Sequence, residues 1–346
     1  MKKNYTNSIK LLTLLFIFSA CGDPEDINII TSGVYIYHEG AFGSNNATIG
    51  TYNPENYQYN PGLYRGQNGN FIGDVQQNVL VRNGMIYSVL NGSNTIDIMG
   101  DNLKSEGKIR FEALDKPRDI AIAGDLAFIA NWGPYDQNFE LFLSEIFVVD
   151  LNDNTPIERL EITVYPEHLL VKGNKLIVSH DKYDGSISEL SIINIDDLQV
   201  EQTIDVPAGP QEIIEDDNGN IWVVCTSGSL IKLNASLTGI ENQIDLENEI
   251  LGDIDSNEDL IYFYSASKIS SVNISDNSIT ETGITVEMET PYAFAVDPAS
   301  GDFYLGDALD FSSEGLVIRY TNDGELLDTF PSGIAPTQFS FNLERD

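Results

Sequence analysis

A chain of 346 residues with 18 basic and 54 acidic side chains carries a formal charge of −36 at pH 7. Such acidity argues against nucleic acid as a partner; it reads first as solubility, with attraction of cations as the competing reading. At 42% hydrophobic residues, with no linker or low-complexity stretch after residue 30, the chain is expected to form one large globular domain.

In chain order, residues 1–20 have the anatomy of an export signal. Lys2 and Lys3 precede a hydrophobic run, Leu11 to Phe18, that is too short to span a bilayer. Phe18-Ser19-Ala20-Cys21 then resembles a bacterial lipobox, in which the cysteine is acylated and becomes the first residue of the mature protein. Two or more acyl chains give stable membrane anchoring where one does not. Residues 21–32 are expected to be a flexible tether, and its acidic start, Gly22-Asp23-Pro24-Glu25-Asp26, looks like the tag that sends Bacteroidota lipoproteins to the outer face of the outer membrane. A merely solvated tether is the alternative. Cys225, the only other cysteine, lies in the apolar run Ile221-Trp222-Val223-Val224-Cys225 and is expected to be a small buried hydrophobe.

From residue 33 to the end, the sequence repeats. A motif of proline, any residue, polar, hydrophobic recurs roughly every 43 residues. It reads Pro117-Arg118-Asp119-Ile120, Pro166-Glu167-His168-Leu169, Pro210-Gln211-Glu212-Ile213, Pro291-Tyr292-Ala293-Phe294 and Pro336-Thr337-Gln338-Phe339, with weaker copies at Gln76-Gln77-Asn78-Val79 and Leu251-Gly252-Asp253-Ile254. Each copy opens a strand, a tight turn such as Gly124-Asp125 and a second strand. After a variable loop come a third strand ending near an Asx residue and a more polar fourth. Four short strands per repeat is the blade of a β-propeller. The seventh copy ends after one strand, whereas Val34–Tyr37 and Ala47–Tyr52 precede the first copy with no inner strand of their own. The prediction is an all-β, seven-bladed β-propeller over residues 33–346, closed by pairing N-terminal and C-terminal strands in one blade. An eight-bladed ring or two small domains are disfavoured by the even spacing.

Ligand sites on such a ring usually lie where loops entering the inner strands meet loops joining second and third strands. The third motif position supplies Asn78, Asp119, His168, Glu212, Asp253, Ala293 and Gln338, six of the seven polar, which are expected to ring one mouth of the axial channel. The competing reading is strand-end capping. The second loop set includes long aromatic members: 38–46 with His38 and Phe42, 131–143 with Trp132, Tyr135, Phe139 and Phe142, 180–186 with His180 and Tyr183, and 307–314 with Phe311. Trp and Tyr supply strong contacts at recognition surfaces. These aromatics, with Tyr292 from the motif itself, are taken as a recognition platform, and packing over neighbouring loops as the alternative. All three histidines fall in these loops without recognised metal-ligand spacing, and no cofactor or metal is expected. Acidic turns such as Glu215-Asp216-Asp217-Asn218-Gly219 fit hairpins better than a calcium loop. No nucleophile elbow, phosphate-binding loop or zinc-protease motif is present.

The opening Gly33-Val34-Tyr35-Ile36-Tyr37-His38-Glu39-Gly40-Ala41-Phe42-Gly43-Ser44-Asn45-Asn46-Ala47-Thr48-Ile49, followed by Tyr52-Asn53-Pro54, resembles the start of Bacteroidota surface lipoproteins in the YncE-like propeller group, where Asn commonly stands in place of His38. That group includes the BtuG-like proteins, seven-bladed lipoprotein propellers that capture cobalamin and pass it to a TonB-dependent outer-membrane transporter. The resemblance implies a non-catalytic binding protein for a nutrient, with a corrinoid as first candidate ligand, anchored in the outer membrane beside such a transporter and facing the cell exterior. Two alternatives stand beside it. One is a calcium-dependent, lactonase-like hydrolase using Asn78, Asp119, Glu212 and Asp253 in the channel to activate water; the other is a scaffold that binds protein on the same face.

Overall fold

The computed structural model describes residues 29–182, 186–246 and 248–345. The expected export signal, the acylated Cys21 and Tyr183 lie outside these residues. Seven antiparallel four-stranded sheets follow one another round a ring. Blade 1 opens on the strand Gln76–Arg82, blade 2 on Pro117–Ala123, blade 3 on Pro166–Lys172, blade 4 on Pro210–Glu215, blade 5 on Ile250–Asn257 and blade 6 on Pro291–Val296. Every copy of the motif thus begins the innermost strand of its own blade.

Blade 7 is built from both ends of the chain. Its inner strand, Pro336–Arg345, pairs antiparallel with Ile29–His38, which continues outward to Thr48–Asn53 and Gln58–Asn60. Nine residue pairs join the two termini, from Ile29 opposite Arg345 to His38 opposite Pro336. The strand begins at Ile29, so residues 29–32, assigned above to the tether, belong to the propeller: the long C-terminal strand offers backbone partners that far.

The core is not central but divided between the blades. Seven apolar clusters each fill one interface between neighbouring sheets, for example Ile129 and Phe147 of blade 2 against Val89 and Ile98 of blade 1, or Tyr304 of blade 6 against Ile36 and Phe339 of blade 7. A sheet covered on both faces demands apolar residues without alternation, as in Ile221–Cys225, where all five residues are buried. Cys225 is wholly buried as expected, and burial pushes its thiol up to about 12. Outer strands such as Thr155–Ile162 form the solvated rim.

Local chemistry sets the turns. Gly124 sits at φ 59° in the two-residue hairpin between Pro117–Ala123 and Leu126–Asn131. The Asx residues ending third strands accept backbone N–H groups two residues on: Asn53 from Glu55, Asp150 from Asn152, Asn194 from Asp196 and Asn273 from Ser275. One element was not expected, a six-residue helix, Leu63–Asn68, between blades 7 and 1. It interrupts its own pattern with Gly66 and carries no N-terminal cap, so tertiary contact holds it: Tyr64 is buried and its hydroxyl donates to Asp97 at 3.1 Å. No helix among the described residues is long and apolar enough to cross a membrane.

Candidate functional site: the axial channel and its mouth

Antiparallel strand order brings the loops between second and third strands to the same end of the ring as the entries to the inner strands. Backbone bonds stitch the two sets together: Glu39 N–H to Ala335, Trp132 N–H to Lys116, Thr226 N–H to Gly209 and Ala308 N–H to Thr290. At this end a cavity of about 500 Å³ opens along the axis.

The third motif position does line the channel in blades 1, 3, 4, 5 and 7, through Asn78, His168, Glu212, Asp253 and Gln338. Its principal work is structural. In five of the seven blades the third-position side chain reaches across to the fourth-position N–H of the next blade. Gln338 accepts from Val79 at 2.8 Å, Asp119 from Leu169 at 2.6 Å, His168 Nδ1 from Ile213 at 3.3 Å, Glu212 from Ile254 at 2.6 Å and Asp253 from Phe294 at 3.1 Å. Asn78 instead donates to the Asp119 carboxylate at 2.9 Å. These bonds satisfy the free edge of the innermost strands, whose outward N–H groups would otherwise face the channel unpaired. Asp119 is 3% exposed and takes a second backbone bond from Ile120, and it does not line the cavity. Ala293 breaks the ring, because it has no polar group to offer and is buried in the apolar cluster between blades 6 and 7.

The residues that face the cavity all the way round are those at the second motif position, of which sequence reasoning singled out only Tyr292. Gln77, Arg118, Glu167, Gln211, Gly252, Tyr292 and Thr337 all line it. The physical reason is a β-bulge. In all seven blades the pairing of inner and second strands slips at the motif, as between Pro166 and Leu169 or Pro210 and Ile213. Simple alternation would have sent the second and third positions to opposite faces, whereas with the bulge both line the cavity in blades 1, 3, 4, 5 and 7.

Arg118 is the centre of one wall. Its guanidinium lies 4.1 Å from the Trp132 ring centroid, donates through Nε to Glu167 at 2.9 Å and through one terminal nitrogen to Gln77 at 2.5 Å. Trp132 is itself held, with Nε1 donating to Pro166 at 3.1 Å and its ring edge-on to Tyr165 at 5.6 Å. The loop aromatics therefore divide. Trp132 packs and keeps a face on the cavity, whereas Tyr135, Phe139 and Phe142 stand 39%, 82% and 63% exposed on the rim. Phe42 is 87% exposed on the loop between the second and third strands of blade 7, and Phe311 packs edge-on to Tyr292 at 5.0 Å. The Tyr292 hydroxyl meets the Glu39 side chain.

Two of the three histidines leave the candidate site. His38 and His180 were placed in loops, but each falls at the end of a strand that runs further than its apolar pattern, and both are fully buried. His38 sits among Thr48 and Tyr59, and His180 Nε2 meets Ser191 Oγ at 2.9 Å. Burial lowers both imidazoles to about 4, so they pack as neutral rings. His168 stays in the channel, where Nδ1 accepts from Ile213 and Nε2 lies 3.7 Å from Asp119.

The opposite wall is acidic. Burial raises Glu167 to about 7 despite Arg118, and Asp255 to about 6. Glu212 and Asp253 rise as well, first through burial and, for Glu212, then through the charge of Asp253. Among the described residues no three carboxylate, imidazole or thiol groups come together as a metal-binding group. Asn78 and Asp119 bond each other on one side of the ring, while Glu212 and Asp253 are turned to backbone N–H groups on the other.

These shifts fix a pH dependence. Carboxyls with raised folded-state values hold protons that the unfolded chain loses above about pH 4, so unfolding releases protons and stability falls as pH rises through about 7. His38 and His180 oppose this only below their ordinary value of 6.5, where the unfolded chain gains protons first. Between about pH 7 and 8 the carboxyls act nearly alone. The thermal midpoint is expected to fall over that interval, and Glu212→Gln is expected to flatten the slope; scanning calorimetry at four pH values checks both.

The ring, its closure and its polar mouth define a seven-bladed β-propeller. Solved structures share this fold. A quinoprotein alcohol dehydrogenase-like protein from Bacteroides thetaiotaomicron matches with a TM-score of 0.69 at 14% identity, covering 90% of this chain and 78% of its own. A putative 6-phosphogluconolactonase from Bacteroides fragilis matches at 0.65 and 12%, covering 90% and 98%. Hydrazine synthase from Kuenenia stuttgartiensis matches at 0.62 and 10%, covering 78% and 95%. No family model matches the sequence, and no curated protein matches it significantly.

Proposed function

We propose that the chain is a non-catalytic binding protein that captures a small ligand at the channel mouth, held at the outer surface of the outer membrane by a lipid on Cys21, and hands the ligand to a TonB-dependent transporter. One observation carries the reading: an open cavity of about 500 Å³ is walled by second-position residues from all seven blades, with side chains from every blade but the fifth, where Gly252 stands, while the polar residues beneath them are engaged in holding the blades together. A rigid ring with a variable upper layer suits recognition. The corrinoid suggested by the opening segment is the first ligand to test. A molecule of that size places only an edge in the cavity and lies across the rim, where Phe42, Phe139 and Phe142 are exposed.

The test is calorimetric titration of the purified protein with cobalamin and cobinamide. Binding is expected, and Trp132→Ala is expected to weaken it by about 2 kcal/mol, roughly 30-fold. No heat and no thermal shift with either compound removes the corrinoid. The hydrolase alternative draws on the raised carboxyls of the channel; lactone turnover in added calcium, abolished by Glu212→Gln, would favour it over simple binding.

A further inference from the structure

The charges that line the cavity are not balanced across it. Arg118 is matched by Glu167, with nitrogen to oxygen at 2.7 Å, and His168 faces Asp119. Glu212, Asp253 and Asp255, on blades 4 and 5, line the same cavity. Their partners are backbone N–H groups only, from Ile254, Phe294, Val296 and Ser256, and among the described residues no basic side chain pairs with any of the three. Grouped carboxyls in a recess are costly to ionise unless a cation joins them. The walls beside them are aromatic, with Tyr292, Phe294 and Phe339 in the lining.

The molecule already shows how this cavity holds a cation. Arg118 lies over the Trp132 ring at 4.1 Å and donates through Nε to the Glu167 carboxylate. A planar or compact cation between an aromatic face and a carboxylate gains both charge and quadrupole attraction, and gains most where water is excluded. The other half of the cavity offers carboxyls and an aromatic ring, and among the described residues no basic side chain pairs with those carboxyls.

Building on the binding role above, we propose that the channel takes a small organic cation, an amine or a guanidine, or the protonated arm of a larger ligand, with its charge against Glu212, Asp253 and Asp255 and its carbon skeleton against Tyr292 and Phe294. The chain's overall acidity draws such a ligand toward the mouth.

The test uses the purified protein at pH 8 and low salt, with tryptamine and its neutral alcohol analogue tryptophol as matched probes, and agmatine and spermidine as non-aromatic cations. Tryptamine is expected to bind at least tenfold more tightly than tryptophol. Glu212→Gln with Asp253→Asn keeps both backbone acceptors and removes both charges, so that protein is expected to fold and to lose the preference. Should the double variant fail to fold, Asp255→Asn alone is expected to reduce the preference severalfold. Equal binding of the two probes, or a preference untouched in the folded variants, overturns the inference. If none of the three cations binds while a corrinoid does, the cation site is wrong and the binding role stands; if neither class binds, both fall.

Discussion

Arg118→Ala is expected to cost about 3–5 kcal/mol of stability at pH 8, because it leaves the Glu167 carboxylate recessed without its partner. Only 16% of the Arg118 side chain and 15% of that of Glu167 is exposed, so water offers little replacement. The same change frees Gln77 and takes away the cation stacked on Trp132. Since Glu167 already holds its proton up to about 7, the cost is expected to shrink at pH 5, where the carboxyl is neutral in the folded protein. Adding Glu167→Gln to Arg118→Ala is expected to recover about half of the loss at pH 8. Urea denaturation of the wild-type protein and the two variants at both pH values decides it. A loss that ignores pH and is not relieved by Glu167→Gln would mean that Arg118 matters for packing on Trp132 and not for its charge.

Removing residues 336–346 is expected to abolish cooperative folding. The deletion strips the inner strand from blade 7, undoing the nine residue pairs with Ile29–His38 and the bonds between Gln338 and Val79. It also takes Phe339 from the cluster that buries Val34, Ile36, Ala293 and Tyr304. Each large side chain so exposed forfeits about 1.5–3 kcal/mol, against a net stability of about 5–15 kcal/mol for a typical domain. The open edge left on blade 7 and the bared face of blade 6 then invite aggregation. Circular dichroism and light scattering during heating are expected to show no sharp transition and early aggregation. A truncated chain that melts cooperatively within a few degrees of the full chain would mean that the N-terminal strands close the ring unaided.

The ring was legible in the sequence because its determinants are local and repeated. The motif marks where each inner strand starts, and apolar runs such as Ile221–Cys225 need both faces covered wherever they lie. The mouth was legible only in part. Positions 117 to 120 read as a strand in which Arg118 and Asp119 face opposite ways, yet the bulge turns Arg118 into the cavity and tucks Asp119 between blades. Nothing in the four residues announces that bulge, which depends on how the second strand pairs. The histidines misled for a related reason. His38 and His180 follow apolar runs and resemble loop residues, but pairing across the sheet carries the strands over them, and burial then fixes them as neutral core rings. Trp132 is legible from its loop; its contact with Arg118 lies within blade 2, whereas its hydrogen bond to Pro166 depends on blades 2 and 3 meeting there.

The account depends above all on the two ends of the chain sharing one sheet, since only a closed ring gathers Gln77, Arg118, Gly252 and Tyr292 about one axis. Tyr35 and Ser340 are direct cross-strand partners in that sheet, at a separation that a disulfide can bridge. Replacing both by cysteine and oxidising the folded protein is predicted to give one intramolecular bridge between positions 35 and 340 in nearly every molecule, found by peptide mass spectrometry, with the midpoint of urea unfolding raised. Free thiols at both positions after oxidation, or bridges only between separate molecules, would contradict the closed propeller and the site at its mouth.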